Sequence, residues 1–216
     1  MRSLRIFPLL LLALVPALCS ADVTYSVSVD TNFPDITGNS GYIDLQFNPS
    51  TLATQLANAF VSGFSTDGTL MPFDMFSGPV GDVSGMLPGT LTFDNGQTDN
   101  EYTQPITFGT YIQFDLTLSG DALHNPNGDG GGSFYLDFFD SSGNMLLADN
   151  SEALEIDINP DASLSVTTFP LAENGENPVV SISAVPEPST LLLLAGAAGS
   201  GLCCLSACSL LRALSR

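Results

Sequence analysis

Val23-Thr-Tyr-Ser-Val-Ser-Val-Asp30 is the stretch that decides the fold. Val23, Tyr25, Val27 and Val29 alternate with Thr24, Ser26, Ser28 and Asp30, the period of a strand with one buried face. The same beat predicts strands at 42–47, 57–64, 80–84, 87–93, 102–108, 111–119, 133–139, 145–148, 154–158 and 164–169. Turn-forming groups separate them, among them Thr66-Asp67-Gly68, Asp94-Asn95-Gly96, Ser142-Gly143-Asn144 and Asn159-Pro160-Asp161. About eleven short strands at roughly ten-residue spacing predict an all-β fold, an antiparallel β-sandwich of jelly-roll type. Phe47, Phe60, Phe64, Phe93, Phe108, Phe114, Phe134 and Phe138 fall on the inward beat and are the expected core. Residues 52–60 are ambiguous, because Leu52, Leu56 and Phe60 also have the spacing of a short helix.

Charge narrows the function. The 216-residue chain holds 4 Lys+Arg and 23 Asp+Glu. The bases are Arg2, Arg5, Arg212 and Arg216, all at the ends, while residues 22–184 carry 22 acids and no base. Nucleic acid is excluded as a partner, since phosphate contacts come chiefly from Lys and Arg. Phosphoryl transfer is disfavoured for the same lack of a cationic clamp. His124 is the single histidine, so no site with two His ligands can form within one chain.

The two ends read as targeting segments. Arg2 and Arg5, an apolar run over 6–18 and small Ser20 and Ala21 predict a secretory signal peptide over residues 1–21. Leu18 is too large for a lipidation signal ahead of Cys19. Residues 191–211 are 21 positions without a charge. As a helix they span about 31 Å, close to a hydrocarbon core of about 30 Å. One C-terminal transmembrane helix is expected, with Arg212 and Arg216 as membrane-tail charges in the cytoplasm (the basic tail 212–216) and the large acidic domain, residues 22–184, outside. Cys19, Cys203, Cys204 and Cys208 all belong to these terminal segments, so no disulfide holds the acidic domain.

Val185-Pro186-Glu187-Pro188-Ser189-Thr190 stands directly before the helix. Residues 185–216 resemble the PEP-CTERM sorting signal of exported bacterial proteins: a Pro-Glu-Pro triplet, a transmembrane helix and a short basic tail, in that order. The tail departs from the family in having two spaced arginines where a tight cluster is common. The resemblance implies an exosortase-like processing protease as partner of Val185, Pro186, Glu187 and Pro188. It also implies residence in the inner membrane with the ectodomain outside before processing. The destination would then be the cell surface or extracellular matrix, in association with extracellular polysaccharide. The residues themselves suit that role. Two prolines fix φ near −65° and remove two N–H donors, so 186–188 stays extended and outside the helix. Glu187 offers one charge to a basic group. Gly41-Tyr-Ile-Asp-Leu-Gln-Phe-Asn-Pro49, Phe64-Ser-Thr-Asp-Gly68, Gly81-Asp-Val-Ser-Gly-Met-Leu-Pro-Gly89 and later phrases resemble a group of PEP-CTERM ectodomains without an assigned activity, which supplies no catalytic residue.

Chemistry within residues 22–184 is sparse. Asp137 with Asp140, Glu155 with Asp157, and Asp99 with Glu101 are carboxylate pairs of the kind a glycoside hydrolase uses. Asp137 lies on an outward beat, and Glu155 and Asp157 face away from Leu154, Ile156 and Ile158, so a solvated acidic surface is expected. His124 sits in the Gly-rich loop 121–132, and no Gly-x-Ser-x-Gly elbow occurs. Asn125, Asn127 and Asp129, followed by Gly130, partly imitate a calcium loop. Asn at the first position and Leu136 at the twelfth exclude an EF-hand, leaving a low-affinity Ca²⁺ site or a plain turn; no other cofactor is expected. Tyr102, Tyr111 and Tyr135 remain as platforms for a sugar ring. The sequence therefore reads as an exported, exosortase-sorted, non-enzymatic surface or matrix protein; the alternative is a carbohydrate-binding module.

Overall fold

The computed structural model describes residues 22–50, 54–146, 152–169 and 178–186. In chain order the elements are β1 (Val23–Asp30), β2 (Ser40–Asn48), β3 (Asn58–Thr66), β4 (Thr69–Leu70), β5 (Gly78–Val80), β6 (Val83–Gly85) and β7 (Leu91–Asp94). They continue with β8 (Glu101–Thr107), β9 (Tyr111–Ser119), the single turn α1 (Asp121–His124), β10 (Gly132–Asp140), β11 (Leu154–Ile158), β12 (Leu164–Thr168) and β13 (Val180–Val185). The fold is all-β, and the strands pair antiparallel into two sheets. The first runs β13-β1-β9-β3-β7-β6; the second runs β12-β11-β10-β2-β8-β4, with β5 also on β8.

Alternation gives each long strand one apolar face, and the two sheets turn these faces on each other in a sandwich-like arrangement. Val27 and Val29 of β1 and Leu116 and Leu118 of β9 meet Ile43, Leu45 and Phe47 of β2 and Phe134 and Leu136 of β10, all essentially buried. Phe93 of the first sheet meets Phe134 of the second edge to face, with ring centroids 6.5 Å apart. Each such buried Phe contributes on the order of 1.5–3 kcal/mol.

The structure departs from the sequence expectation at identifiable places. Phe60 is only half-buried, whereas Ala59, Val61 and Phe64 are in the core. The cause is a bulge in the β3–β9 register between Ser62 and Ser65, where Gly63 takes φ 63° and reverses the inward beat. The strand expected at 80–84 is two strands in different sheets. Gly81 turns the chain with φ 70°, and a Cβ there would lie 2.0 Å from the Asp99 carbonyl oxygen. Residues 54–57 form no helix, and Asn58 opens β3. Met145 makes one bridge, to Phe139. β4 and β13 were not anticipated. The signal peptide over 1–21 and the transmembrane helix over 191–211 lie outside the described residues, among which no helix is long and apolar enough to cross a membrane.

Candidate functional site

Because Ile43, Leu45 and Phe47 point to the core, Tyr42, Asp44, Gln46 and Asn48 of β2 stand on the outer face of the second sheet. Register then builds rows across that face. Asn48 pairs with Ser133, Ser133 with Asp157, and Asp157 with Ser165. Glu101, Gln46, Tyr135 and Glu155 form the next row, Thr103, Asp44 and Asp137 the third, and Pro105, Tyr42 and Phe139 the fourth. Amides, carboxylates and hydroxyls thus stand beside three aromatic rings over strands far apart in sequence.

Hydrogen bonds order this face. Gln46 Nε2 donates to Asp44 Oδ2 at 2.7 Å, and Asn48 Nδ2 donates to Gln46 Oε1 at 3.0 Å. Thr103 Oγ1 donates to Glu101 Oε1 at 2.7 Å, and Ser133 Oγ donates to Asp157 Oδ1. Tyr42 Oη reaches over the sheet edge and donates to Asp74 Oδ2 at 2.8 Å.

The middle row is the unusual one. Asp44 is 4 % exposed and Asp137 is 6 % exposed, and the two are direct cross-strand neighbours. Burial pushes the Asp44 carboxyl up to about 7, with the charges of Glu101 and Asp137 adding to the shift and Gln46 and Thr103 opposing it. Burial likewise pushes Asp137 up to about 7, helped by the charge of Glu152 and opposed by the Ala153 backbone N–H. Asp137 Oδ1 has no hydrogen-bond partner. Asp137 is thus on the outward face as expected, but not in the solvated surface expected of it: packing on this face closes it off. Its neighbour is Asp44, while Asp140 is half-buried at the end of β10, where it caps the N–H groups of Ser142 and Asn144.

At the first row the face opens into a pocket of about 400 Å³ between loop 128–132 and the end of β11. Ser50, Asp129, Ser133, Asp157 and Asn159 line it, together with three glycines, Ile158 and Pro160. Gly131 and Gly132 permit this closure. A Cβ on Gly131 would lie 2.7 Å from Ala122 Cβ, and Gly132 takes φ 91° with the Asn48 carbonyl oxygen 2.3 Å from the Cβ position. Asn95 ties the loop down, donating to the carbonyls of Gln55 and Gly131 and accepting the Ala57 N–H.

The other anticipated residues fall as follows. Asn127 Oδ1 accepts the Asp129 N–H at 2.8 Å, an Asx turn, and Asn125, Asn127 and Asp129 are exposed. Among the described residues no group of three His, Cys, Asp or Glu could hold a metal ion. His124 ends α1 and pairs with Asp22, Nε2 to Oδ1 at 2.9 Å. Tyr102 is no platform: it is fully buried, donating to Gln104 Oε1 and accepting the Leu87 N–H. Tyr111 is 37 % exposed, on the first sheet, and Tyr135 is half-buried on the outer face. Glu155 and Asp157 do face away from the core, half-buried; Asp99 precedes β8, and only Glu101 is on the strand. Val185 ends β13 opposite Thr24, and Pro186 is exposed. Glu187, Pro188, Arg212 and Arg216 lie outside the described residues. Sequence reasoning missed Asp44, Tyr42 and Phe139; the signal was an Asp between Ile43 and Leu45 in an otherwise apolar strand.

Comparison with protein-family models, with curated proteins and with solved structures finds no match to this chain.

Proposed function

We propose that this chain is an exported, non-enzymatic surface or extracellular-matrix protein, delivered by a signal peptide and sorted by an exosortase-like protease. Residues 185–216 carry the proposal: a Pro-Glu-Pro triplet, 21 uncharged residues and a tail bearing Arg212 and Arg216. Glu187→Ala in the natural host tests it. The variant is expected to keep its anchor and stay in the membrane fraction, while the unaltered chain is shortened; identical processing of both would refute the sorting role.

A second reading concerns the ectodomain, which we take to be a jelly-roll sandwich acting as a carbohydrate-binding module. The strand order β1-β9-β3-β7 over β2-β8-β4, with β5 continuing the edge, favours the jelly roll. The rows of amides, carboxylates and aromatic rings on the outer face favour a polysaccharide partner. A non-catalytic role fits the burial of Asp44 and Asp137, since the two carboxyls with the most raised pKa values are closed to a substrate. A glycan array probed with the full chain tests this reading, and turnover of any glycan lost on a single carboxylate substitution would refute it.

A further inference from the structure

Several donors around the pocket beside β11 are turned to neighbouring acceptors. Ser133 Oγ–H goes to Asp157 Oδ1, and Asn159 Nδ2 donates to Ser163 Oγ and Ser165 Oγ. The Asp129 N–H goes to Asn127 Oδ1, and the Gly131 N–H goes to the Ile158 carbonyl. The lining is acceptor-rich: it includes the carboxylates of Asp129 and Asp157, the side-chain oxygen of Asn159 and the hydroxyls of Ser133 and Ser50, the last able to donate as well. Residues 22–186 contain no Lys or Arg that could neutralise either carboxylate. A ligand complementary to such a lining brings donors and positive charge.

Size separates the cations that qualify. Calcium takes about 6–8 oxygens in one tight shell, and among the described residues no group of three His, Cys, Asp or Glu could hold a metal ion. The space of about 400 Å³ is instead that of a small organic group, within the roughly 300–1,000 Å³ of ligand pockets. Pro160, exposed at the turn after β11, supplies an apolar surface for a ring, and the serine oxygens accept from ring hydroxyls.

We propose that this pocket takes an amino-sugar unit of a polysaccharide, its free ammonium held between Asp129 and Asp157. The proposal rests on the carbohydrate-binding reading above and narrows it: the polymer bears ammonium groups, and acidic polymers are repelled. Isothermal titration of the full chain in detergent tests it, with glucosamine trisaccharide, its N-acetylated form, galacturonate trisaccharide and CaCl₂ alone as probes. The glucosamine form is expected to bind at least tenfold tighter than the N-acetylated form, which has the same ring without the charge. Asp129→Asn and Asp157→Asn are each expected to weaken it tenfold or more. Asp35→Asn, an exposed carboxylate before the opposite end of β2, is expected to leave it unchanged. Equal affinity for both sugars overturns the ammonium assignment and leaves the carbohydrate-binding reading standing. Silence toward all three sugars overturns both. Binding of Ca²⁺ alone that the pocket variants abolish overturns the assignment in favour of a metal, and equal weakening by Asp35→Asn reduces it to general charge attraction.

Discussion

Raising the pH through neutrality is expected to weaken this protein, and Asp137→Asn to remove much of that weakness. Asp44 and Asp137 have carboxyls pushed from 3.8 up to about 7 in the folded chain. The folded state therefore holds protons that the unfolded state has released between about pH 4 and pH 7. Stability is highest below the unfolded value and falls as pH climbs to the folded one, with the full loss present above about 7. Three pH units at about 1.4 kcal/mol each give roughly 4 kcal/mol for one carboxyl. The two are cross-strand neighbours, so their protons leave as a coupled pair and the total is less than twice that. Asp67, Asp74, Asp140 and Asp161 act oppositely, since their hydrogen bonds hold them below 3.8, but they lose that contribution only in more acid solution. In the window from pH 4.5 to 8.5 the buried pair acts together with Glu155, whose carboxyl is also raised by burial, and the Asp137→Asn variant separates the Asp137 share from the rest. At about 2–4 °C per kcal/mol for a chain of this size, the Asp137→Asn variant at pH 8.5 is expected to melt roughly 10 °C above the unaltered protein. At pH 4.5, where the aspartic acid is itself neutral, the two are expected to melt together. Circular dichroism melts across the range check this, and melting curves separated by the same interval at every pH would refute the reasoning.

Three further outcomes follow from the same structure. Raising NaCl from about 0.01 to about 1 M, which shortens the screening length from about 30 to about 3 Å, is expected to raise the melting temperature, because residues 22–184 hold 22 carboxylates and no Lys or Arg; several millimolar Ca²⁺ is expected to act likewise, and a melt indifferent to both refutes this. Asn95→Ala strips hydrogen bonds from Ala57 N–H and from the Gln55 and Gly131 carbonyls. It is expected to cost at least about 2 kcal/mol in urea unfolding, where buried unpaired groups cost roughly 1–3 kcal/mol each, and to speed amide exchange over 130–133. Phe134→Ala, at the contact with Phe93, is expected to cost about 3–5 kcal/mol by the same urea assay.

Much of the sandwich was legible because each long strand writes its buried face at every second residue. Ile112, Phe114, Leu116 and Leu118 fall in the core where alternation put them. The phase slip at Gly63 was harder to see. Its only local mark is a glycine inside a strand, and the mismatched count that defines the bulge exists only once β9 lies alongside. β13 was lost for a related reason: Val180, Ile182 and Ala184 alternate weakly, and β13 is an edge strand that borrows its order from β1. The site was least legible. Asp44 and Asp137 are ordinary outward residues until register sets them side by side, 93 positions apart in the chain. Burial of an outward-facing carboxyl depends on neighbouring side chains that no local pattern encodes. The readings of residues 1–21 and 185–216 rest on composition and motif alone.

The antiparallel pairing of β1 with β13 sets Thr24 opposite Val185, so the polypeptide enters and leaves the sandwich at one corner. A load applied between those two ends does not pull the strands lengthwise past each other. It unzips them, rung by rung, from Val185 toward Val180. The last strand is then the mechanically soft one, and a tether at the carboxyl end that comes under tension would shed β13 while the remaining sheets stay closed.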